Sequence, residues 1–151
     1  MPRFSSNHRV EHTAGDMFDL VADIEQYPQF VPLCKNLHVR GRREMDDGTC
    51  VLVADMTVAY KLFSETFTSR VTLNRETREI LVEYLDGPFR HLENRWSFRS
   101  HGEADCEVDF YIEYEFRSRT LGSLMGAMFE KAFRKFSDAF EARADEVYGV
   151  A

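Results

Sequence analysis

The segment that decides the fold is TLGSLMGAMFEKAFRKFSDAFEARADEVY, residues 120–148. Its apolar residues recur at steps of three and four, a spacing that places them along one face of an α-helix. At ~1.5 Å per residue such a helix would be roughly 40 Å long, well above the average length. The segment therefore predicts one long amphipathic helix, with an apolar face made of Leu121, Leu124, Met125, Met128, Phe129, Ala132, Phe133, Phe136, Ala139, Phe140, Ala144 and Val147.

The chain before this helix alternates between apolar and polar residues, which is typical of β-strands. The clearest strand is 106–116, where every second residue is apolar and Glu107, Asp109, Glu113 and Glu115 lie between them. Such regular alternation indicates an antiparallel sheet with one buried and one solvated face. Shorter runs that end at turn sequences predict five more strands between residues 36 and 98.

Residues 4–10 predict a first strand, and Thr13 is placed to cap a helix that follows it. We expect Pro28 to end this helix, because proline lacks the backbone N–H that the next turn needs. The order of strand, helix, about six strands and long helix indicates a single α+β domain over residues 1–151. A sheet of about seven antiparallel strands curls, so the long helix is expected to cover its concave face. Either a dense core or a cavity would lie between them.

Composition excludes several classes of protein. The formal net charge of −7 weighs against nucleic-acid binding, and we expect no DNA partner. Three widely spaced cysteines suggest reduced thiols in the cytoplasm. No apolar run is long enough to span a bilayer, and the first strand begins too early to leave room for a targeting segment. These features predict a cytoplasmic protein.

The sequence offers little support for catalysis. The five histidines are scattered, without the H-E-x-x-H or H-x-H spacing of metal sites. Ser97 and Ser123 lie in no nucleophile elbow. The acidic residues of strand 106–116 belong to its solvated face. We therefore expect no catalytic residue, no metal site and no catalytic cofactor.

Four motifs together resemble one known family. Residues 21–34, VADIEQYPQFVPLC, match a D-x-x-x-Y-P-x-F-x-P-x-C segment of the coenzyme Q-binding and ribosome-association toxin family, within the START-like, polyketide cyclase-like superfamily. Further matches follow in the family's order and spacing across nearly the whole chain: residues 67–70 (FTSR), residues 86–89 (DGPF) with Leu92 and residues 96–98 (WSF), and Ala139, Phe140, Arg143, Ala144, Val147 and Tyr148.

The resemblance implies a helix-grip fold, like that of START and Bet v 1 proteins, with an elongated apolar cavity for a lipid. Some family members bind ubiquinone or related isoprenoids without catalysis and support respiration. Others associate with the large ribosomal subunit and block subunit joining. The motifs do not choose between the two. We expect a non-enzymatic carrier with ubiquinone as its bound ligand, the alternatives being a ribosome-associated protein and, less strongly, a cyclase-like enzyme.

Eight residues are the candidate cavity lining under this interpretation, although the same apolar positions also suit a plain core. The indole N–H of Trp96 would need a partner if buried, and a quinone carbonyl could supply it. The methionines of the helix adapt readily to variable apolar partners. The candidates are Phe30, Phe67, Phe89, Trp96, Met125, Met128, Phe129 and Phe133.

The segment after Tyr27 has two interpretations. It could be a rigid corner between the first helix and the sheet. Alternatively, an apolar turn followed by basic residues could contact the inner face of an anionic membrane transiently, since each basic residue there contributes about 1 kcal/mol. The docking candidates are Val31, Leu33, Lys35, Arg40, Arg42 and Arg43. The three arginines, with Arg134 and Lys135, could instead meet the phosphates of a ribosomal partner.

Overall fold

The described residues form one seven-stranded antiparallel sheet, a short α-helix, a 3₁₀ helix and one long α-helix. The structure is a computed structural model that describes residues 1–150; Ala151, the last residue of the expected domain, lies outside the described residues. Along the chain the elements are β1 (Arg3–Val10), α1 (Ala14–Ala22), a 3₁₀ helix (Ile24–Gln29), β2 (Cys34–Glu44), β3 (Cys50–Tyr60), β4 (Phe63–Asn74), β5 (Glu79–Asp86), β6 (Phe89–Ser100), β7 (Cys106–Phe116) and α2 (Arg119–Tyr148).

The strands follow the order β1-β7-β6-β5-β4-β3-β2, with every neighbouring pair antiparallel. The sheet curves, and its concave face and the helices share one hydrophobic core. This arrangement confirms the predicted α+β helix-grip fold. β6 begins at Phe89 rather than Leu92, because Phe89 already pairs with Phe116 of β7.

The first helix is shorter than the sequence predicts. Thr13 does cap α1, its hydroxyl accepting a hydrogen bond from the N–H of Asp16 at 3.1 Å. The helix ends at Ala22, however, and Pro28 lies inside the 3₁₀ helix that follows. Proline disfavours the α conformation of the residue before it. Here that residue is Tyr27, whose hydroxyl donates to the carbonyl of Val21 at 2.5 Å and closes the corner.

α2 agrees closely with its predicted bounds. Ser118 caps it by accepting a hydrogen bond from the N–H of Leu121 at 3.2 Å. The predicted apolar face includes Leu124 and Val147, but both are exposed. The contact between α2 and the sheet is narrower than this apolar face. Near the other end of α2, the Nε2 atom of His12 lies 2.7 Å from Oδ1 of Asp145 and ties the helix to the start of α1.

Several connections meet at one end of the sheet. The register places the β5–β6 turn at Gly87 and Pro88 against Phe67 of β4, at the same end of the sheet as the tight β3–β4 hairpin, where Lys61 has a positive φ of 54°. The hairpin tip extends about five residues beyond that turn, roughly 15 Å. The N–H of Arg117, just before α2, donates to the carbonyl of Pro88 at 3.0 Å. The carbonyl of Leu33 accepts from the N–H of Ala59 at 3.0 Å, which brings the segment before β2 here as well. We call this end of the sheet the hairpin end; it includes residues 32–33, 60–63 and 87–88 and the start of α2.

Candidate ligand-binding cavity

A cavity of about 120 Å³ lies between the concave face of the sheet and the middle of α2. One buried water needs about 10–15 Å³ on the same scale, so the space suits a group of roughly ten heavy atoms. Its wall contains no charged side chain and is apolar except for Ser69, Asn94, the hydroxyl of Tyr27 and the indole N–H of Trp96. The arrangement can therefore hold an uncharged, mainly apolar group.

Alternation along the strands and the helical repeat of α2 build this wall. Inward-facing residues of β4 and β6 recur at every second position, and those of α2 recur at steps of three and four. Phe67, Ser69 and Val71 come from β4, while Leu92, Asn94 and Trp96 come from β6. The helix contributes Phe129, Ala132, Phe133, Phe136 and Phe140.

Four of the eight candidate residues line the cavity: Phe67, Trp96, Phe129 and Phe133. The other four lie outside its wall, which corrects the expected lining. Phe89 is fully buried behind it, stacked on Phe116 with ring centroids 4.7 Å apart. Phe30 packs edge-on against Phe140 at 5.1 Å. Met125 and Met128 belong to α2 but come before its first wall residue, nearer the hairpin end.

The polar groups of three wall residues are already satisfied within the protein. The indole N–H of Trp96 donates to Oδ1 of Asn94 at 3.0 Å, so the partner that a quinone carbonyl could have supplied is already present in the protein. Asn94 in turn donates to the carbonyl of Tyr111 at 2.9 Å. Burial raises the pKa of Tyr27 well above its usual range, and its hydroxyl donates to Val21, so it stays protonated at neutral pH.

The segment 30–33 is not an exposed apolar tip. Val31 is buried, and Pro32 and Leu33 line the cavity beside it. The basic run does not adjoin this segment either, because β2 extends away from Leu33 by ~3.3 Å per residue, placing Arg42 roughly 30 Å along the strand. Of the basic docking candidates, only Lys35 therefore lies next to this segment, and the arginines are carried away from it.

The basic candidates also differ in whether they form ion pairs with acidic side chains. Arg40 contacts Asp55 at 2.7 Å, and Arg42 approaches Glu25 at 3.5 Å. Arg134 pairs with Glu130 at 2.8 Å. Among the described side chains, Lys35, Arg43 and Lys135 are exposed and form no such ion pair.

Exposed large apolar residues lie elsewhere, and four of them are at the hairpin end. Leu62 at the tip of the β3–β4 hairpin is completely exposed, and Tyr60 beside it is 41% exposed. Leu85 at the end of β5 and Leu124 in the second turn of α2 are exposed as well. Leu62 was not predictable as a surface contact, because a single apolar residue in a turn has no periodic signal.

Among the wall residues that were not expected as ligand contacts, three had a signal in the sequence: Asn94, Ser69 and Phe140. Asn94 alternates with Trp96 on the same strand, and Ser69 alternates with Phe67. Phe140 belongs to the predicted apolar stripe of α2.

Within residues 1–150, no group of three or more His, Cys, Asp or Glu side chains is placed to hold a metal ion. No helix in that range is long and apolar enough to cross a membrane.

Two curated relatives match nearly the whole chain. The ribosome association toxin RatA of Escherichia coli (strain K12) is 32% identical over 150 residues, which cover 99% of this chain and 91% of the relative. The mitochondrial coenzyme Q-binding protein COQ10 homolog B of Xenopus laevis is 29% identical over 150 residues, covering 97% of this chain and 59% of the relative.

Solved structures agree with this relationship. The solution structure of an 18 kDa protein from Caulobacter crescentus is 32% identical, with a TM-score of 0.81 over 99% of this chain and 100% of that one. A START superfamily protein from Mycobacterium smegmatis shares the fold, with a TM-score of 0.79 at 20% identity over 96% of this chain and 98% of that one. The family model for polyketide cyclase/dehydrase and lipid transport matches residues 10–141. The chain therefore belongs to this family of START-like proteins.

Proposed function

We propose that the protein binds an uncharged isoprenoid lipid of the ubiquinone type in the cavity under α2, and carries it without changing it chemically. The observation behind this proposal is the apolar cavity of about 120 Å³, whose wall has no charged side chain. Each CH₂ group that a ligand buries there contributes about 0.8 kcal/mol, so affinity requires few polar contacts. The likeness to a relative named as coenzyme Q-binding supports the same ligand class.

The cavity limits which part of the ligand can be enclosed. A quinone ring, or one to two isoprene units, matches space for roughly ten heavy atoms. A polyprenyl tail of tens of carbons exceeds it, so enclosing the rest of the tail would require α2 to move. Without such a movement, the protein would enclose only one end of the lipid.

The hairpin end is the part of the surface that suits exchange with a bilayer. It exposes Tyr60, Leu62 and Leu124, and Lys61 lies at the hairpin tip. Pro32 and Leu33, which line the cavity, lie at the same end. Contact with a membrane through these residues would bring the cavity wall close to its lipids.

Non-catalytic binding is favoured over a cyclase-like reaction. Tyr27 is the only ionisable side chain of the wall, and its raised pKa makes it a poor proton donor or acceptor at neutral pH. The family name includes cyclases and dehydrases, but one fold supports many functions.

Lipid extraction tests the proposal directly. The protein would be purified from a quinone-producing host and its lipids identified by mass spectrometry. Wild-type protein should retain a quinone or another polyprenyl lipid. Ala132→Leu should retain much less, because Ala132 is buried in the wall and a larger side chain fills the space. The matched control is Ala127→Leu, on the exposed face of the same helix. A wild-type protein that carries no polyprenyl lipid and takes up none from vesicles would overturn the proposal.

A ribosomal partner is the second candidate, favoured by the 32% identity to a relative named as a ribosome association toxin. Of the basic residues that the sequence suggested for such contacts, Lys35, Arg43 and Lys135 are exposed and free of ion pairs within residues 1–150, so they are available for RNA phosphates. Co-sedimentation with large ribosomal subunits at low salt is the test, because phosphate contacts weaken as salt rises. Arg43→Glu combined with Lys135→Glu should abolish the association if it exists. Absence of the wild-type protein from the subunit fractions removes this candidate.

A further inference from the structure

One buried hydroxyl in the cavity wall has no partner. Ser69 is only 5% exposed, and its Oγ atom makes no hydrogen bond. Among the described residues it is the one buried side-chain oxygen or nitrogen in this condition. Folded proteins leave few such groups unsatisfied, so each exception calls for a physical explanation.

No side chain of the neighbouring strands forms a hydrogen bond with Ser69. Ser69 pairs with Ala54 of β3, which has no polar side-chain atom, and with Tyr84 of β5. The Tyr84 hydroxyl accepts a hydrogen bond from the N–H of Phe89 at 3.1 Å. The pairing of β4 with β5 is irregular here: Thr68 opposes Asp86 and Ser69 opposes Tyr84, which leaves Leu85 as the extra residue of a bulge. Bulges often re-aim side chains next to functional sites.

The remaining polar wall groups differ from Ser69. Asn94, Trp96 and Tyr27 each have a hydrogen-bond partner inside the protein. Ser69 therefore has hydrogen-bonding capacity that only an occupant of the cavity can use.

We propose that Ser69 anchors the polar end of the ligand, and that the ligand is a neutral amphiphile with a carbonyl or hydroxyl oxygen at that end. The inference rests on the proposed function and specifies its ligand. A serine hydroxyl can donate to a carbonyl and can both donate to and accept from an alcohol. A carboxylate or an ammonium group is disfavoured, because the wall has no opposite charge to compensate its burial. The apolar remainder of the ligand packs on Phe67, Phe129 and Phe133.

Trp96 provides the measurement. It is the only tryptophan of the chain and lines the cavity, so quenching of its fluorescence by decylubiquinone reports binding. The binding of farnesene, a hydrocarbon without oxygen, would be measured by its competition with decylubiquinone. Ser69→Ala should weaken decylubiquinone binding roughly three- to tenfold, the usual effect of one hydrogen bond. The same variant should leave farnesene binding unchanged. Ser69→Thr keeps the hydroxyl and should restore quinone binding, while Ser64→Ala on the exposed part of β4 is the control.

The outcomes separate this inference from the proposed function. Equal quinone binding by wild type and Ser69→Ala would overturn the anchor and leave cavity binding intact. An equal loss of quinone and farnesene binding would make Ser69 a packing residue and would also overturn it. If wild-type protein binds neither probe, the proposed function itself fails.

Discussion

Gly87 lies directly against Phe67, so closely that a Cβ atom added to Gly87 would be 2.6 Å from the Cβ of Phe67. Gly87 also has a φ of 140°, a backbone conformation that residues with side chains rarely adopt. Phe67 lines the cavity, and Phe89, two residues after Gly87, packs behind Phe67 with ring centroids 5.4 Å apart. The turn at the hairpin end therefore fixes part of the cavity wall.

Gly87→Ala should destabilise the protein by about 2–4 kcal/mol, since backbone strain and overpacking each contribute roughly 1–3 kcal/mol. Urea unfolding followed by Trp96 fluorescence measures the change. Gly126→Ala is the control, because that glycine lies in α2 with nothing within 4 Å of an added Cβ. It should stabilise the helix by up to about 1 kcal/mol. Equal unfolding midpoints for wild type and Gly87→Ala would contradict the close contact.

Ser69→Ala should make the ligand-free protein more stable by about 1 kcal/mol, because it removes a buried hydroxyl that has no hydrogen bond. Thermal and urea unfolding of delipidated protein would measure this. Ser64→Ala, at an exposed position of the same strand, should change stability by less than about 0.5 kcal/mol. A clear loss of stability in Ser69→Ala would mean that its hydroxyl has a partner in the folded protein.

Leu62→Asp should weaken binding to anionic vesicles roughly tenfold. It replaces the most exposed apolar residue of the hairpin end with a charge that anionic lipids repel. Vesicle co-sedimentation provides the measurement. Arg42→Glu combined with Arg43→Glu is the comparison, and it should have the smaller effect because β2 carries these residues away from the hairpin end. If the double arginine variant had the larger effect, the membrane-docking surface would instead be formed by the basic residues of β2.

Cys34 and Cys106 should react slowly with iodoacetamide in the folded protein. Burial raises the pKa of each thiol to about 11, and the thiolate is the reactive form. At pH 8 roughly 0.1% of each is ionised, and the rate should rise about tenfold per pH unit up to the pKa. Peptide mapping by mass spectrometry would follow each site. Half-buried Cys50 should react first, and all three should react alike in urea. Rapid labelling of Cys34 at neutral pH would show that its surroundings open.

Periodic features were predictable from sequence, whereas features that depend on contacts between distant residues were not. α2 and β7 match their predicted bounds within about a residue, because helical and strand repeats are local signals. The early end of α1 was missed, since it depends on Tyr27 reaching back to Val21. The alternation of Phe67 with Ser69 was visible, but the missing partner of Ser69 depends on Ala54 and Tyr84 in neighbouring strands.

The docking prediction differs from the structure for a related reason. It joined Leu33 and Arg42 because they are close in sequence, but an extended strand separates such residues by ~3.3 Å at each step. The surface that we propose in its place includes Leu62 of the hairpin and Leu124 of α2, which lie 62 residues apart in the chain. No local pattern relates two such residues; the register of the sheet does.

The position of β2 in the sheet suggests another role for its arginines. This strand ends the sheet, so one row of its backbone N–H and C=O groups faces no other described strand. Unpaired edges of this kind can join the sheets of two molecules and start aggregation, and charged side chains and bulges discourage it. β2 has both, since Arg40, Arg42 and Arg43 lie along it and its pairing with β3 is irregular after Cys34 and after Val39. The arginines that suggested attachment to a partner are therefore also placed to discourage edge-to-edge pairing between copies of this protein.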